Sequence, residues 1–315
     1  MNIGVINEIE SGEGGVTLMP DDVGKLVQAG HTVYVEKGAG EGIHISPQKY
    51  IQAGAKIVDR TTLIKNSRLI LQIKPPATEH FRDFQKKIYL SMIHPPGYPD
   101  RVQAIKDNNI ECIALEGLQD SRGTRLVECI EMCGWAVLYA LQFIKKIPTD
   151  VDALVLGYGA VGSEAIKVLS KVGVNFQIVR RIDHGRLRQM MEGKDLIVNA
   201  IDWPSDKRAK KEFLVTEEMI NVLAPDAVIL DLIAHSGGGA MQSCRPTTLK
   251  DPTYTYKGRT HICLDPFPGL YPVSSSIRYS SQLLPIVMLI AENKGVAGIE
   301  ERGGLGKSIH NALIV

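Results

Sequence analysis

The sequence predicts an α/β protein of two Rossmann-like domains, each with a parallel sheet, and a cleft between them. Short apolar strands alternate with helical stretches over the first 120 residues and again after residue 150, which is typical of parallel sheets with crossover helices. A glycine-rich turn, Gly157-Tyr-Gly159-Ala-Val-Gly162, follows a strand in the second part. The length of 315 residues is enough for two domains with their own cores.

In the first domain, short apolar runs bounded by turn residues predict the strands. They are expected at Ile3–Ile6, Thr32–Val35, Lys56–Val58, Leu69–Ile73, Ile88–Ile93 and Glu111–Ala114, with a helix from about Pro20 to Ala29. The apolar run Leu126–Ile144 contains one glycine and no proline, and its length predicts a helix that joins the two domains.

In the second domain, the strands are expected at 153–156, 176–179, 195–200, 227–232 and 260–264. A serine run at 274–276 precedes apolar residues through Ile290, which predicts an N-capped helix, bent at Pro285, that packs back on the first domain. The predicted domains are therefore 1–127 plus 273–315 and 128–272. The tail 301–315 receives no assignment.

Composition favours small-molecule chemistry. The chain is 44% hydrophobic and 23% charged, with a formal net charge of +1, so neither nucleic acid nor an anionic membrane is expected as a partner. The five cysteines show no zinc-site spacing with histidine, which predicts no metal and a reducing, cytoplasmic environment. No export signal or membrane span is evident.

The glycine-rich turn predicts a dinucleotide site. Its glycines allow a tight turn and a close backbone approach to a pyrophosphate at the N-terminus of the next helix. The candidate residues are Gly157, Gly159, Ala160, Val161 and Gly162. Glycines also mark ordinary turns, but the surrounding strand, turn, amphipathic helix and second strand favour cofactor binding.

The end of the second strand of this domain indicates the form of the cofactor. NAD-selective sites place an acidic residue there for the ribose 2′-hydroxyl, whereas this chain has Arg180 and Arg181. Two guanidiniums favour a 2′-phosphate, so NADP(H) is expected rather than NAD(H). The alternative is a solvated loop.

Other strand ends extend the expected cofactor groove. Further cofactor contacts are assigned to Ala200, Ile201, Ile233 and Ala234. His235, in a glycine-rich loop, is expected to face the nicotinamide, and Asp265 either positions a polar substrate group or caps a turn.

Two residues in the first domain carry the expected chemistry. Lys74 and His94 each follow a strand and precede Pro-Pro, so both should face one cleft beyond the carboxyl ends of the strands. Together they can move the protons needed when a C=N bond forms or is hydrolysed. Taken singly, each residue also fits a solvated or structural role.

The chain resembles the alanine dehydrogenase and pyridine nucleotide transhydrogenase superfamily over nearly its whole length. The resemblance is carried by residues 1–10, 30–40, 53–58, Arg-Pro-Thr-Thr at 245–248 and the Pro-Gly at 268–269. It implies a two-domain subunit, a homo-oligomer and hydride transfer between nicotinamide and an amino-bearing carbon. Lys74 and His94 match the family's substrate-binding lysine and catalytic histidine.

The chain also departs from the superfamily pattern. Gly15 stands where alanine dehydrogenases have a carboxylate-binding arginine, His235 replaces an aspartate, and Arg180 replaces the acidic ribose residue. These departures, with the shortened linker and Gly134-Trp135-Ala136, look more like members of the N-(carboxyethyl)ornithine synthase type, which join an amino acid to pyruvate.

The sequence therefore predicts an NADP(H)-dependent oxidoreductase acting on a CH–NH bond by opine-type condensation of an amino acid with a 2-oxo acid such as pyruvate. Lys74 would hold the oxo acid and His94 would move the proton. The second hypothesis is a simple alanine-like dehydrogenase that uses ammonia, with Arg122 or Arg125 replacing the missing arginine. The third is a nucleotide-binding protein that has lost catalysis.

Overall fold

The computed structural model describes residues 1–8, 14–233 and 239–314. The chain divides into two compact units, residues 1–128 with 272–315, and residues 129–271. Within the described residues, no helix combines the length and the hydropathy that a membrane crossing requires.

The N-terminal part of the first unit alternates strands and helices. The strands are β1 (Asn2–Val5), β2 (Thr32–Glu36), β3 (Lys56–Val58), β4 (Leu69–Leu71), β5 (Ile88–Ser91) and β6 (Glu111–Ala114), and the helices are α1 (Pro20–Gln28), α2 (Pro47–Gln52), α3 (Arg60–Asn66) and α4 (Pro99–Asp107). Proline opens α1, α2 and α4, where its missing N–H costs nothing and its fixed φ suits a helix.

The second unit follows the same alternation. Its elements are α5 (Ile130–Leu141), β7 (Asp152–Leu156), α6 (Ala160–Val172), β8 (Asn175–Val179), α7 (Leu187–Met191), β9 (Leu196–Asn199), α8 (Ser205–Ala209), β10 (Val228–Asp231), β11 (Thr253–Tyr256) and β12 (Arg259–Ile262). Helix α5 packs closely on α6, since Gly134 has no side chain: a Cβ there would lie 2.6 Å from the backbone of Glu164.

The chain then returns to the first unit through α9 (Pro272–Glu292), α10 (Gly303–Asn311) and β13 (Leu313–Ile314). Helix α9 contains Pro285 and is tied to the segment before α1 by two serine hydroxyls. Ser276 Oγ accepts from the N–H of Val16 at 2.9 Å, and Ser280 Oγ accepts from the N–H of Met19 at 2.8 Å. The helix thus packs on the N-terminal segment, as its sequence predicts.

The sheet of the first unit has the order β13-β6-β5-β4-β1-β2-β3. The pairs from β3 through β6 are all parallel, and β13 pairs antiparallel with β6. The order reverses between β1 and β4, and ligands of doubly wound sheets bind in the crevice beyond the strand ends at such a switch point. Lys74 and His94 follow β4 and β5, so they lie beyond the carboxyl ends of these strands.

The sheet of the second unit has the order β11-β12-β10-β9-β7-β8. Strand β7 lies between β8 and β9, which places its switch point beside the glycine-rich turn. Alternate residues of β7 enter two different hydrophobic clusters: Ala153 and Val155 join one, and Leu154 and Leu156 join the other. Burial on both faces explains the continuous apolar run.

The predicted α/β fold with two parallel-rich sheets is confirmed, with some differences in the elements. Helix α5 begins at Ile130 instead of residue 126. The residues before it belong to a short hairpin, in which Gln119 pairs with Arg125 and the N–H of Leu126 donates to the carbonyl of Leu118. Strands β11 and β13 and helix α10 were not predicted. Both added strands are antiparallel edge strands. Strand β11 reads Thr-Tyr-Thr-Tyr, without an apolar run, and β13 has only two residues, too few for a strand pattern.

Candidate active site

The glycine-rich turn connects β7 to α6 and lies against the end of β9. Gly157 has φ of +86°, and a Cβ there would come within 2.9 Å of Ile201 Cγ1 and 3.2 Å of the carbonyl oxygen of Ala200. Only glycine combines this conformation with this contact. The turn therefore brings the predicted cofactor residues of β7 and β9 together within the second unit.

The other two glycines of the turn have different surroundings. A Cβ at Gly162 would lie 2.3 Å from the carbonyl oxygen of Gly157, whereas a Cβ at Gly159 would meet no atom within 4 Å. Gly159 is the N-cap of α6 and provides no side-chain cap, and Gly159 and Ala160 are exposed while Val161 is half-buried, so the start of the helix is accessible. Such an end suits an anionic group, and the turn fits a dinucleotide pyrophosphate.

The end of β8 presents arginines held by a buried aspartate. The N–H of Arg180 donates to the Asp183 carboxylate at 3.0 Å, and the guanidiniums of Arg180 and Arg186 lie 3.3 and 2.6 Å from it. These contacts lower the pKa of Asp183 to about 2, led by the backbone hydrogen bond from Arg180. Both guanidiniums remain largely exposed, and Arg181 is exposed as well.

Two buried polar residues join the ends of β9 and β10. Asn199 Nδ2 donates to Asp231 Oδ1 at 2.8 Å, and Asn199 Oδ1 accepts from the N–H of Ile201 at 3.2 Å. Asp231 Oδ1 also accepts from the N–H of Ile233 at 3.1 Å. Two of the predicted cofactor contacts, Ile201 and Ile233, are thus fixed by one Asn–Asp pair.

Three more residues were predicted to line the cofactor groove of this unit. Ala234 and His235 lie outside the described residues. Asp265 is exposed just beyond β12, and its N–H donates to the carbonyl of Thr247 at 3.1 Å.

In the first unit, Glu8 anchors the backbone at Lys74. Glu8 follows β1, is 6% exposed, and its carboxylate accepts from the N–H groups of Ile73 and Lys74. The carboxylate therefore bridges the ends of β1 and β4 at the switch point. Lys74 is half-buried, and the hydrogen bond from its N–H to Glu8 fixes the position of its backbone.

A second carboxylate supports His94 in the same way. Glu116, just after β6, accepts from the N–H of Ile93 at 3.2 Å and from the N–H of His94. His94 is exposed and has φ of +54°, a conformation that non-glycine residues rarely adopt and that clusters at functional sites. Since β4 and β5 are neighbours, Lys74 and His94 follow adjacent strand ends.

Two further positions of the first unit matter for the carboxylate-binding arginine: Arg125, a candidate replacement, and Gly15, where the family arginine is missing. Arg125 is exposed in a short hairpin, where it forms an antiparallel bridge with Gln119. A Cβ at Gly15 would lie 2.9 Å from Ser276 Oγ, so this position packs against the start of α9.

Four site residues escaped the sequence analysis: Glu8, Glu116, Asn199 and Asp231. Each is a polar residue at or just beyond the end of an apolar strand, the same signal that identified Lys74 and His94. Their partners are backbone N–H groups or each other, and no spacing in the sequence shows such a contact.

The two halves of the chain match two models of one family. Residues 4–136 match the alanine dehydrogenase/PNT N-terminal domain, and residues 179–311 match the C-terminal domain. The chain belongs to the alanine dehydrogenase/PNT family. This confirms the superfamily that the sequence resembles.

Relatives match this family member along most of its length. An alanine dehydrogenase of Bacillus subtilis is 28% identical over 99% of this chain and 91% of its own length. One of Staphylococcus haemolyticus is 29% identical over 92% and 87% of the two chains, and one of Methanococcus maripaludis is 29% identical over 94% and 88%. These relatives support a pyridine-nucleotide oxidoreductase.

Solved structures show the same fold. An L-alanine dehydrogenase superposes with a TM-score of 0.84 at 22% identity and covers 100% of this chain and 95% of its own. A transhydrogenase from Sinorhizobium meliloti superposes with a TM-score of 0.78 at 20% identity over 92% and 94% of the two chains. The family fold therefore extends over both units.

Removing the charge of Glu116 is expected to lower activity through His94. Glu116→Gln keeps one acceptor but weakens the charge-assisted bonds to the N–H groups of Ile93 and His94. We expect kcat to fall about tenfold while nucleotide affinity stays unchanged, and the pH profile of kcat to shift because the imidazole moves.

The matched control is Glu111→Gln, at the opposite end of β6, where the carboxylate pairs with Arg68. Steady-state kinetics as a function of pH compare the two variants. Equal kcat and equal pH profiles for Glu116→Gln and the wild-type protein would remove the positioning role of Glu116.

Proposed function

We propose that the protein is an amino-acid dehydrogenase that reversibly forms a small amino acid from a 2-oxo acid and ammonia, with NADP(H) as cofactor. The observation that carries this proposal is the placement of Lys74 and His94 after adjacent strands, with the backbone of each held by a carboxylate. The glycine-rich turn in the second unit would supply the cofactor site.

Each group has a defined task in the proposed reaction. The Lys74 ammonium binds the carboxylate or carbonyl oxygen of the oxo acid, and His94 moves protons as ammonia adds and water leaves. The nicotinamide supplies hydride to the resulting C=N carbon when it is bound. Overall, oxo acid, ammonium, NADPH and a proton yield amino acid, NADP⁺ and water.

NADP(H) selectivity is supported by the arginines at the end of β8. The acidic residue in this turn, Asp183, is 3% exposed and accepts from Arg180 and Arg186. The Asp183 carboxylate is therefore occupied by hydrogen bonds within the turn. The exposed guanidiniums present positive charge to a bound nucleotide. A 2′-phosphate can accept charge-assisted hydrogen bonds from such groups.

Replacing Arg180 by aspartate is expected to reverse this preference. The variant loses a guanidinium and gains a carboxylate that repels a phosphate, so KM for NADPH should rise about tenfold to a hundredfold. KM for NADH should change little. Arg82→Asp, an equal charge change in the first unit, is the control. An unchanged NADPH to NADH preference in Arg180→Asp would contradict the assignment.

The second candidate is the opine-type condensation expected from the sequence. It is favoured by Gly15, which leaves no carboxylate-binding arginine at that position and packs against Ser276. Relatives named alanine dehydrogenase, matched along nearly the whole chain, favour ammonia as the nitrogen donor. We therefore place ammonia first and an amino acid second.

The test is an assay of NADPH and NADH oxidation with pyruvate and either ammonium or a panel of amino acids. Oxidation that needs only pyruvate and ammonium supports the proposal. Oxidation that needs an amino acid, with a product mass equal to the joined pair, supports opine-type condensation. Tight nucleotide binding without oxidation of any mixture would indicate that catalysis is lost.

Homo-oligomerisation and a cytoplasmic location remain predictions from the sequence. Size-exclusion chromatography with light scattering tests the first directly, and a monomer at assay concentration would contradict it.

A further inference from the structure

Two cysteines and an aspartate form a compact cluster in the second unit. Asp231, Cys244 and Cys263, here called the Cys–Cys–Asp cluster, place one carboxylate oxygen and two sulfur atoms all within 4.8 Å of one another. Asp231 and Cys263 are fully buried. The three positions lie far apart in the sequence, which explains why the spacing of cysteines predicted no metal site.

The strand register sets two members of the cluster side by side. Strands β10 and β12 are parallel, with Leu230 opposite Ile262, so Asp231 and Cys263 are the next residues on neighbouring strands. The backbone of Cys263 is also paired with Thr247, whose N–H donates to the Cys263 carbonyl at 2.9 Å.

The turn that carries Cys244 is fixed on both sides by one phenol. Tyr254 Oη donates to the carbonyl of Ser243 at 2.7 Å and accepts from the N–H of Arg245 at 2.9 Å. Ser243 Oγ additionally lies 2.9 Å from His261 Nε2. Cys244 therefore approaches the strand ends on a braced turn.

The carboxylate of the cluster is oriented by groups around it. Asp231 Oδ1 accepts from Asn199 Nδ2 and from the N–H of Ile233, which fixes the plane of the carboxylate. Metal-ligating carboxylates are commonly oriented by such surrounding hydrogen bonds.

We propose that the Cys–Cys–Asp cluster binds a thiophilic divalent cation of the Zn²⁺ type. In a tetrahedral zinc site the ligand atoms lie about 3.5–3.8 Å apart, so the separations of at most 4.8 Å in the cluster need to shorten by about 1.3 Å at most. Two sulfur ligands favour zinc over magnesium or calcium. Three protein ligands leave one coordination position for water or another donor.

The thiol chemistry is compatible with this assignment. Cysteine binds such a cation as the thiolate, so uptake of the cation releases the thiol protons.

The bound cation would cross-link the end of β10, the turn at 241–245 and the residue after β12. It would then act as a structural tie within the second unit, and its loading would raise the thermal stability of the protein by mass action. This inference does not depend on the proposed reaction.

The test uses Co²⁺, whose thiolate complexes absorb in the near-ultraviolet and whose tetrahedral complexes absorb strongly in the visible. The full-length protein is reduced, dialysed against a chelator and titrated with CoCl₂ under anaerobic conditions. We expect one Co²⁺ per chain with a thiolate-to-cobalt band, displaced by Zn²⁺. Cys244→Ser should weaken binding at least about a hundredfold, and Cys133→Ser, in α5 of the same unit, should not.

Asp231→Asn provides a second variant, in which the visible bands should change position while a thiolate band persists at high Co²⁺ concentration. Absence of a thiolate band in the wild-type protein, or an identical titration for Cys244→Ser, would overturn the proposal. A disulfide between Cys244 and Cys263 that forms in air, with no cobalt uptake after reduction, would also overturn it.

Discussion

His94→Ala is expected to lower kcat about a hundredfold to ten-thousandfold, the range that positioned acid–base groups contribute, while the Kd for NADPH stays within a few-fold of the wild-type value. The reason is that His94 follows β5 in the first unit, whereas the glycine-rich turn that fits the cofactor lies in the second unit. Single-turnover kinetics and nucleotide titration measure the two quantities separately.

Two further variants test whether the loss of activity reflects lost stability or the loss of any histidine. His94 has a positive φ, which alanine adopts less readily than asparagine, so His94→Asn should lose the same activity with less loss of stability. His80→Ala, at an exposed histidine of the same unit, should leave kcat unchanged. Activity within a few-fold of wild type in both His94 variants would remove its proposed role.

Gly162→Ala is expected to abolish measurable nucleotide binding and to lower the thermal stability of the protein. The added Cβ would lie 2.3 Å from the carbonyl oxygen of Gly157, and a backbone atom in a tight turn cannot move away without displacing the turn. Nucleotide titration should show at least a hundredfold loss of affinity, since the pyrophosphate approaches this same turn. Calorimetry should show a lower Tm.

Gly159→Ala separates the effect on folding from the effect on the ligand. Its Cβ meets no protein atom within 4 Å, so the Tm should stay at the wild-type value while NADPH affinity falls. Gly304→Ala, another position with open surroundings, should change neither quantity. Wild-type NADPH affinity in both Gly159→Ala and Gly162→Ala would show that the turn is not the pyrophosphate site.

The parallel cores of the fold were predictable because buried strands carry continuous apolar runs. The runs at 153–156 and 227–232 are examples, and the structure places β7 and β10 there. The start of α5 was not predictable, since residues 126–129 continue the apolar run of the helix that follows. Their contacts are with residues outside the helix: the N–H of Leu126 donates to the carbonyl of Leu118, and the N–H of Glu128 donates to Gln282 Oε1.

The candidate site was predictable where local sequence determines geometry. The glycine-rich turn and the residues after β4 and β5 are of this kind. Glu8 and Glu116 were not predictable, because their partners lie 66 and 22 residues away in the sequence. The same applies to the Cys–Cys–Asp cluster, which the alignment of β10 with β12 and the turn held by Tyr254 assemble together.

In the proposed reaction, one carbon of a 2-oxo acid receives both the ammonia nitrogen and the nicotinamide hydride. The most direct measurement is the mass spectrum of the product formed from pyruvate, ¹⁵N-ammonium, an added unlabelled amino acid and NADPH deuterated at the transferable position. We predict alanine that carries both labels, with the deuterium on Cα. A product that lacks ¹⁵N and has the mass of pyruvate joined to an added amino acid would contradict it.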